Sequence, residues 1–211
     1  ISKTKKLIKK GEFFPPYYNL LGISLDNIGN SYKAEKIFHE AIKKNSKEIS
    51  YYSNLARILI KQDKLDEAEK ILTESSKIKS DDQYSLFEFG KLKRLQKKFL
   101  EAVEYFKKVY KINPNFPNAF FMIGKTYLEI SQESKDQKYS KLSKEYLLDC
   151  SRLFPENVDA DFLLSEIFDY NNEKIHQKTM LKKLETIKFV NNRKKSALLF
   201  SIAKSFEDQK K

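Results

Sequence analysis

Small and large apolar residues recur along the chain with a constant spacing of 34 residues. The most regular marker is a small residue that directly follows a large apolar one. It stands at Gly22, Ala56, Gly90 and Gly124. A second series of small residues, each followed four positions later by a large apolar one, has the same spacing and stands at Ala34, Ala68 and Ala102. No single helix has so long a period, so the pattern indicates an internal repeat.

Each repeat is predicted to be a pair of short helices. Within a repeat the apolar residues follow the i, i+3, i+4, i+7 spacing of amphipathic helices, as residues 84–114 show most completely. Glycine inside a helix costs about 1 kcal/mol relative to alanine, so its recurrence indicates that a second helix approaches closely. One helix pair cannot bury its apolar face alone, whereas stacked pairs can. The pattern therefore predicts an all-α array.

The turn between the two helices falls at Gly29, Asp63 and Lys97, again 34 residues apart. A helix that ends in a tight turn favours a left-handed residue at this position. Glycine adopts this conformation readily, whereas lysine is less favourable there.

These markers are those of the tetratricopeptide repeat, in which an aromatic residue, Leu-Gly, an apolar residue, Ala and Phe follow in a fixed order. The first copy carries them at Tyr18, Leu21, Gly22, Leu25, Ala34 and Phe38. The sequence resembles this family, and the resemblance implies a right-handed superhelix of antiparallel helix pairs, an α-solenoid. We expect one array over residues 1–211. It comprises the end of a preceding repeat (1–14), three regular repeats (15–48, 49–82 and 83–116), a repeat with an insertion (117–157), a degenerate repeat (158–191) and a terminal or capping helix (192–211).

The C-terminal half departs from the regular pattern. Gly124 and the following Pro155 are 31 residues apart, against 24 for the equivalent pair in the third repeat, so we expect a 7-residue insertion near residues 131–139 that lengthens the hairpin. In the degenerate repeat Asp161 holds the usual aromatic position. In the terminal helix the expected markers are Leu199, Ile202, Ala203 and Phe206.

The two ends of the sequence suggest a piece of a longer protein. Leu7 and Ile8 lie 34 residues before Ala41 and Ile42, so the chain is expected to begin inside a second helix. Residues 175–209 resemble the repeat region that precedes the sulfotransferase domain in bacterial fusion proteins. The resemblance implies a bacterial parent enzyme whose catalytic domain lies beyond Lys211.

Composition narrows the classes of partner. The net charge is +12, but only four of the 41 basic residues are arginine, which specific nucleic-acid readers prefer. We therefore interpret the lysines mainly as a solvated coat and expect no nucleic-acid partner. No apolar run reaches the ~18 residues of a membrane span, and no secretory signal is evident. We expect a cytoplasmic protein without a membrane partner.

No residues for catalysis or metal binding are evident. Two histidines and one cysteine are too few for a zinc site, and we expect His39 and His176 to be solvated or packed. Cys150 takes a small core position, where a thiol is inert. The sequence has no phosphate-binding glycine loop and no nucleophile elbow. We expect neither a cofactor nor enzymatic activity in this chain.

Binding is the remaining role. The family resemblance implies a concave groove lined by the first helix of each repeat. One groove position carries Arg57, Lys91 and Lys125, 34 residues apart, which could bind an acidic or extended peptide. The other predicted contact residues are Asn19, Asn54, Tyr84, Phe87, Arg94 and Phe121. The alternative is that this row of basic residues only reflects the lysine-rich composition of the chain.

Three functions follow from this interpretation. The first is a non-catalytic scaffold that binds a protein or peptide in the groove. The second is an N-terminal recruiting domain of a larger enzyme, with a sulfotransferase as the expected parent. The third is self-association through the end repeats.

Overall fold

The computed structural model describes residues 15–172, 174–188 and 192–210. These residues form eleven α-helices and one short 3₁₀ helix, and no strand occurs among them. The predicted all-α class is therefore confirmed. The predicted end of a preceding repeat, residues 1–14, lies outside the described residues. The chain divides into two compact units, residues 1–112 and 113–211.

The described residues of unit 1 form three helix pairs. The helices are α1 (Pro15–Asn27), α2 (Ser31–Lys44), α3 (Ile49–Lys61), α4 (Leu65–Ile78), α5 (Gln83–Leu95) and α6 (Phe99–Ile112). We call α1, α3 and α5 the first helices of unit 1, because each opens a predicted repeat. They lie next to one another, and each packs most closely against the second helix that follows it.

The recurrent small residues of unit 1 are contact points between the two helices of a pair. A Cβ atom added at Gly90 would lie 2.5 Å from the Phe106 ring, and one at Gly22 would collide with the Phe38 ring. Ala56 already carries a Cβ, and the residue at the corresponding second-helix position is the smaller Leu72. Glycine is thus required where the opposing side chain is phenylalanine, which explains the predicted close approach.

The three turns of unit 1 share one geometry. Gly29, Asp63 and Lys97 all have positive φ angles, of 81°, 61° and 60°. In each turn the next amide donates to a carbonyl five residues back, at N–O distances of 2.8 to 2.9 Å, which is the Schellman closure of a helix. The prediction of a left-handed residue at these positions is confirmed, including at the unfavourable Lys97.

The part of unit 2 that the structure describes forms five α-helices: α7 (Pro117–Ser134), α8 (Gln137–Leu153), α9 (Val158–Ile167), α10 (Lys174–Thr186) and α11 (Asn192–Glu207). The 3₁₀ helix Asp208–Lys210 follows. We call α7, α9 and α11 the first helices of unit 2. Residues 132–138 at the tip of the α7–α8 pair are exposed, and Lys135 in its turn has a φ of 57°. The insertion therefore lengthens both helices of one hairpin.

The terminal helix packs in a different register from the one predicted. Leu198 and Ile202 are buried, whereas Leu199, Ala203 and Phe206 are exposed. The prediction had placed Leu199, Ala203 and Phe206 with Ile202 in the core, and it was wrong for those three residues. Helix α11 carries apolar residues on two adjoining faces, so its apolar spacing alone fits either register.

Candidate binding surface on the first helices

The nine predicted contact residues lie on first helices, in two separate groups. Unit 1 holds Asn19 on α1, Asn54 and Arg57 on α3, and Tyr84, Phe87, Lys91 and Arg94 on α5. Unit 2 holds Phe121 and Lys125 on α7. In unit 1 the three helices are adjacent, so their side chains can form one surface.

Asp26 is the centre of the charged interactions in unit 1. Its carboxylate accepts hydrogen bonds from Arg57 Nη1 and Lys61 Nζ, each at 2.8 Å, and from the Ser31 hydroxyl at 2.8 Å. Burial alone would raise the pKa of Asp26. The hydrogen bonds from Lys61 and Ser31 and the positive charges of Arg57 and Lys61 outweigh this effect, so the pKa is lowered. Asp26 is therefore ionised at neutral pH and orients both cations.

A second buried carboxylate lies on α5. Glu88 accepts a hydrogen bond from Lys91 Nζ at 2.6 Å, and the Lys91 ammonium also lies 5.9 Å from the centre of the Phe87 ring. Burial raises the pKa of Glu88, and the charges of Lys91 and Arg57 counteract only part of that increase. Glu88 thus holds Lys91 in place, as Asp26 holds Arg57.

The two predicted asparagines extend the same network. Asn54 Nδ2 donates to Asn19 Oδ1 at 3.2 Å and to the Ser50 carbonyl at 2.8 Å. Asn19 Nδ2 donates to the Ser50 hydroxyl at 2.7 Å, and Arg57 Nη2 donates to Asn54 Oδ1 at 3.4 Å. A continuous chain of hydrogen bonds therefore runs from α1 to α3 and fixes these polar side chains relative to one another.

The acidic members of this surface were missing from the predicted site. Arg57 and Lys91 were expected to form a basic row, but each is paired with a buried carboxylate of a first helix. The exposed fraction differs sharply between the two charges of each pair: 27% for Arg57 and 26% for Lys91, against 1% for Asp26 and 8% for Glu88. The cations therefore lie between the carboxylates and the solvent. Counting Lys61, three cations face two carboxylates, and the local charge stays positive.

The remaining predicted residues are less connected to this network. Tyr84 is exposed and Arg94 is half-buried, both on α5. In unit 2, Phe121 and Lys125 are half-buried, and no carboxylate of the described residues forms an ion pair with Lys125. Lys125 is thus an isolated cation of α7.

The charged residues buried in unit 2 interact with one another. Asp161 pairs with Lys183 at 2.7 Å, with His176 Nε2 at 3.1 Å and with the Ser151 hydroxyl at 2.6 Å. His176 Nδ1 and the Tyr170 hydroxyl lie 2.7 Å apart. The sequence left two alternatives for His176, solvated or packed, and the structure shows that it is packed. Every titratable member has its partner inside the cluster, which suits a structural role.

Among the described residues, no reactive cysteine and no metal site is apparent. Cys150 is buried, and burial raises the pKa of its thiol to about 12, so it stays protonated as expected of an inert cysteine. Within the described ranges no three His, Cys, Asp or Glu side chains are grouped closely enough to hold a metal ion. No described helix combines the length and apolar character needed to cross a membrane.

Comparison with family models identifies the repeats. Residues 49–78 and 84–116 each match a family model described as tetratricopeptide repeat. These segments cover the second and third of the predicted regular repeats, so the chain contains tetratricopeptide repeats. No curated protein sequence matches the chain significantly.

Solved structures show the same fold. The chain is similar to pilF of Pseudomonas aeruginosa, with a TM-score of 0.70 and 18% identity over 93% of this chain and 86% of that one. It is also similar to TTC0263, a thermophilic TPR protein of Thermus thermophilus, with a TM-score of 0.65 and 16% identity over 92% and 100% of the two chains. YrrB, a TPR protein with an unusual peptide-binding site, has a TM-score of 0.56 and 16% identity over 82% and 92%. At these identities the similarity establishes the fold alone, a tetratricopeptide solenoid.

Several predictions from the sequence are not tested by these comparisons. The sulfotransferase resemblance of residues 175–209, the bacterial and cytoplasmic assignments and the repeat boundaries all stay predictions. The same holds for self-association and for the absence of nucleic-acid and membrane partners.

Proposed function

We propose that this chain is a non-catalytic scaffold that binds a protein or peptide through the first helices of unit 1. Its principal contacts are Arg57, Lys61 and Lys91, and Asn19, Asn54, Tyr84, Phe87 and Arg94 flank them. Tetratricopeptide repeats support an interaction role, and YrrB, one of the similar structures, is a protein of this fold with a peptide-binding site. The fold alone does not specify a ligand.

The single observation that carries the proposal is the arrangement of charge on these helices. Buried Asp26 and Glu88 hold half-exposed cations in fixed positions, with the cations on the solvent side. Guanidinium and ammonium groups have more N–H donors than one carboxylate uses, so donors remain for a ligand. Preorganised cations bind an anion with less loss of side-chain entropy than free lysines do.

The partner that fits this surface is an acidic segment of a protein. Its carboxylates would accept charge-assisted hydrogen bonds from Arg57, Lys61 and Lys91. Asn19 and Asn54 could exchange part of their mutual hydrogen bonding for the backbone of an extended peptide. Phe87, beneath Lys91, offers an apolar contact beside the charges. For Phe121 and Lys125 of unit 2, a role in binding stays a prediction from the sequence.

The test measures binding of a fluorescein-labelled oligoglutamate peptide by anisotropy. The decisive variant is Arg57→Gln/Lys91→Gln. Glutamine is preferred to glutamate here, because a new carboxylate beside Asp26 would destabilise the fold. The matched control is Lys70→Gln/Lys77→Gln, which removes the same charge from exposed positions of α4. We expect the first variant to weaken binding about ten-fold or more, since each charge-assisted hydrogen bond contributes about 1.5 kcal/mol or more.

The control variant should bind the peptide nearly as well as the unmodified chain does. Equal losses in both double variants would mean that the peptide senses only the total positive charge, and the proposal would then be wrong. Undiminished binding by the Arg57→Gln/Lys91→Gln variant would also contradict it. Far-ultraviolet circular dichroism of each variant verifies that the helices are intact.

A further inference from the structure

Helix α11 has two apolar faces, and the described residues cover only one of them. Leu198 and Ile202 are buried on the face that packs against α9 and α10. Leu199 and Phe206 lie on the other face, and 43% and 45% of their surfaces are exposed. Ala203, between them, is exposed as well. Single exposed apolar residues are common, but a continuous apolar face of a helix indicates a binding partner.

The exposed face has the spacing of a coiled-coil seam. Exposed residues follow one another at alternating intervals of four and three positions: Asn192, Ser196, Leu199, Ala203 and Phe206. This is the heptad spacing with which two helices pack against each other. The first two residues of the seam are polar and the last three are apolar, and the small Ser196 and Ala203 let another helix approach closely. The face therefore suits a helix as its partner.

A row of exposed residues beside the seam carries opposite charges at its two ends. Arg193, Phe200 and Glu207 are each seven residues apart, so they lie along one edge of the seam. On the side of α11 that faces α9, Lys204 pairs with Glu166 at 2.8 Å. No described residue forms an ion pair with Arg193 or Glu207. Both charges are therefore available to a partner helix.

A second copy of α11 supplies the complementary charges when the two helices run antiparallel. Arg193 and Glu207 are equally distant from Phe200 along the helix. A two-fold axis near Phe200 therefore brings Arg193 of each copy opposite Glu207 of the other. A parallel pair would instead bring together the basic starts of both helices, where Arg193, Lys194 and Lys195 repel their counterparts. The charges of α11 thus favour one orientation.

The sizes of the seam residues favour the same orientation. In an antiparallel pair, Ser196 faces Phe206 of the other copy, and Leu199 faces Ala203. Each large side chain then lies against a small one, which fills the seam without crowding. In a parallel pair the two Phe206 rings would meet each other, and the two Ala203 side chains would leave a gap.

We propose that α11 is a self-association surface, on which a second copy of this chain binds through antiparallel pairing of the two α11 helices. The pairing is isologous, so it closes at two copies. A seam about 21 Å long on a helix about 10 Å wide is smaller than the ~800 Å² per partner of a standard interface, so the dimer should be weak. The inference goes beyond the binding surface proposed for unit 1 and does not depend on it.

The test is sedimentation equilibrium of the whole chain from about 5 to 500 μM, since small interfaces dissociate in this range. The average mass should rise with concentration from the monomer value of 24.9 kDa toward twice that mass. Leu199→Ser/Phe206→Ser should stay monomeric throughout. The matched control is Leu153→Ser/Ile175→Ser, which removes two exposed apolar side chains from α8 and α10 and should dimerise as the unmodified chain does. Circular dichroism verifies that each variant is folded.

Charge reversal tests the orientation. Arg193→Glu makes both ends of the edge acidic, and Glu207→Arg makes both ends basic, so each variant alone should dimerise at least about ten-fold more weakly. An equimolar mixture of the two should dimerise again, because opposite charges then meet at both ends of an antiparallel pair.

Four results would overturn the inference. The first is a constant mass of 24.9 kDa at every concentration. The second is dimerisation that survives Leu199→Ser/Phe206→Ser, because the copies would then meet elsewhere. The third is an equal loss in the Leu153→Ser/Ile175→Ser control, which would mean that only the total exposed apolar surface matters. The fourth is a mixture of the two charge variants that stays monomeric, which would exclude the antiparallel pairing.

Discussion

The third and fifth repeats use the same register but hold their two helices together by different interactions. In the third repeat, α5 approaches α6 so closely that the Phe106 ring occupies the space of a Cβ atom at Gly90. In the fifth, the corresponding residue is Ser165, and the position of the small residue Ala102 is taken by Gln177, which is buried. The apolar Leu86 of the third repeat corresponds to the buried carboxylate of Asp161.

The difference shows how a polar cluster can replace apolar contact. Helices α9 and α10 pack less closely than α5 and α6 do, and Gln177 of α10 donates a hydrogen bond to Ser205 of α11. Asp161 of α9 bridges to Lys183 and His176 of α10, and Ser151 of α8 completes the cluster. A cluster of this kind depends on every member, because a buried charge without its partner is costly. The fifth repeat should therefore be more sensitive to single substitutions.

The largest effect is expected when Lys183 is replaced by methionine. The change leaves the Asp161 carboxylate buried without its cation, and it should destabilise unit 2 by about 3–5 kcal/mol. Urea unfolding, with hydrogen exchange of the α9 and α10 amides, measures the loss. Lys182→Met, at an exposed position of the same helix, is the control and should change little.

A rescue variant makes this prediction sharper. Asp161→Leu/Lys183→Met places leucine where the third repeat has Leu86. It should recover part of the stability, since apolar replacements of buried ion pairs are commonly neutral, whereas His176 and Ser151 lose their acceptor. A loss below about 1 kcal/mol in Lys183→Met alone would contradict the dependence of α9 and α10 on the cluster.

The third repeat should respond to an added methyl group. Gly90→Ala brings a Cβ against the Phe106 ring, and overpacking of this kind costs about 1–3 kcal/mol. The gain in helix propensity, about 1 kcal/mol, offsets only part of it. Ser165→Ala, at the equivalent position of α9, should be nearly neutral, because serine already has a Cβ atom there.

The internal repeats suggest the compensating change for Gly90→Ala. Ala56 is matched by Leu72 in the second repeat, so Gly90→Ala/Phe106→Leu should regain part of the loss. Thermal unfolding of the single and double variants provides the comparison. A stabilising effect of Gly90→Ala would contradict the prediction. It would mean that the Phe106 ring moves aside easily and that glycine is not needed there for close packing.

A smaller, pH-dependent effect is expected in unit 1 from Asp26→Asn. The folded-state pKa of Asp26 lies below its ordinary value of 3.8, so its ionised form stabilises the fold above that pH. The substitution should cost about 1–2 kcal/mol at neutral pH, a modest value because Arg57 and Lys61 are partly solvated. The stabilisation is lost as pH falls through the folded-state pKa, so the wild-type and variant curves should converge in acid.

Asp81→Asn is the control for the Asp26 prediction. Asp81 is exposed and lies 3.9 Å from Lys79, which is also exposed, so its removal should have no measurable effect at any pH. Urea unfolding of both variants at neutral and acid pH decides the matter. If the stability difference between the wild type and Asp26→Asn grows as the pH falls, the prediction that ionised Asp26 stabilises the fold is wrong.

The smallest effect is expected at a turn. Lys97 has a φ of 60°, which is strained for a side chain but free for glycine, so Lys97→Gly should stabilise unit 1 by about 0.5–1 kcal/mol. Gly29→Ala tests the reverse change. Nothing lies within 4 Å of a Cβ added there, so any loss would come from its φ of 81° and not from crowding. A shift in thermal midpoint of the wrong sign in either variant would exclude backbone strain as the cause.

Local spacing was sufficient to predict the regular part of the fold. Gly22, Ala56 and Gly90 mark the contact points between helices, and Gly29, Asp63 and Lys97 mark the turns, because both depend on residues that keep one place in every repeat. The terminal helix was placed wrongly, since its two apolar faces fit either register.

The charged part of the candidate site depends on pairings that spacing does not reveal. Asp26 and Arg57 are 31 residues apart and belong to different repeats. Asp161 was recognised as an exception at an aromatic position, but its partner was not. A signal for that partner exists: Lys183 follows Asp161 by 22 residues, and the hydrogen-bonded pair Tyr18 and Glu40 has the same separation.

The most direct test of the proposed binding surface is an NMR titration of the isotope-labelled chain with the oligoglutamate peptide. We expect the backbone shifts to concentrate on α1, α3 and α5, together with the side-chain amides of Asn19 and Asn54 and the Arg57 guanidinium. Shifts on the second helices α2, α4 and α6, or small shifts spread evenly over the exposed lysines, would contradict it. The peptide would then recognise the net charge of the chain and not a surface built by Asp26 and Glu88.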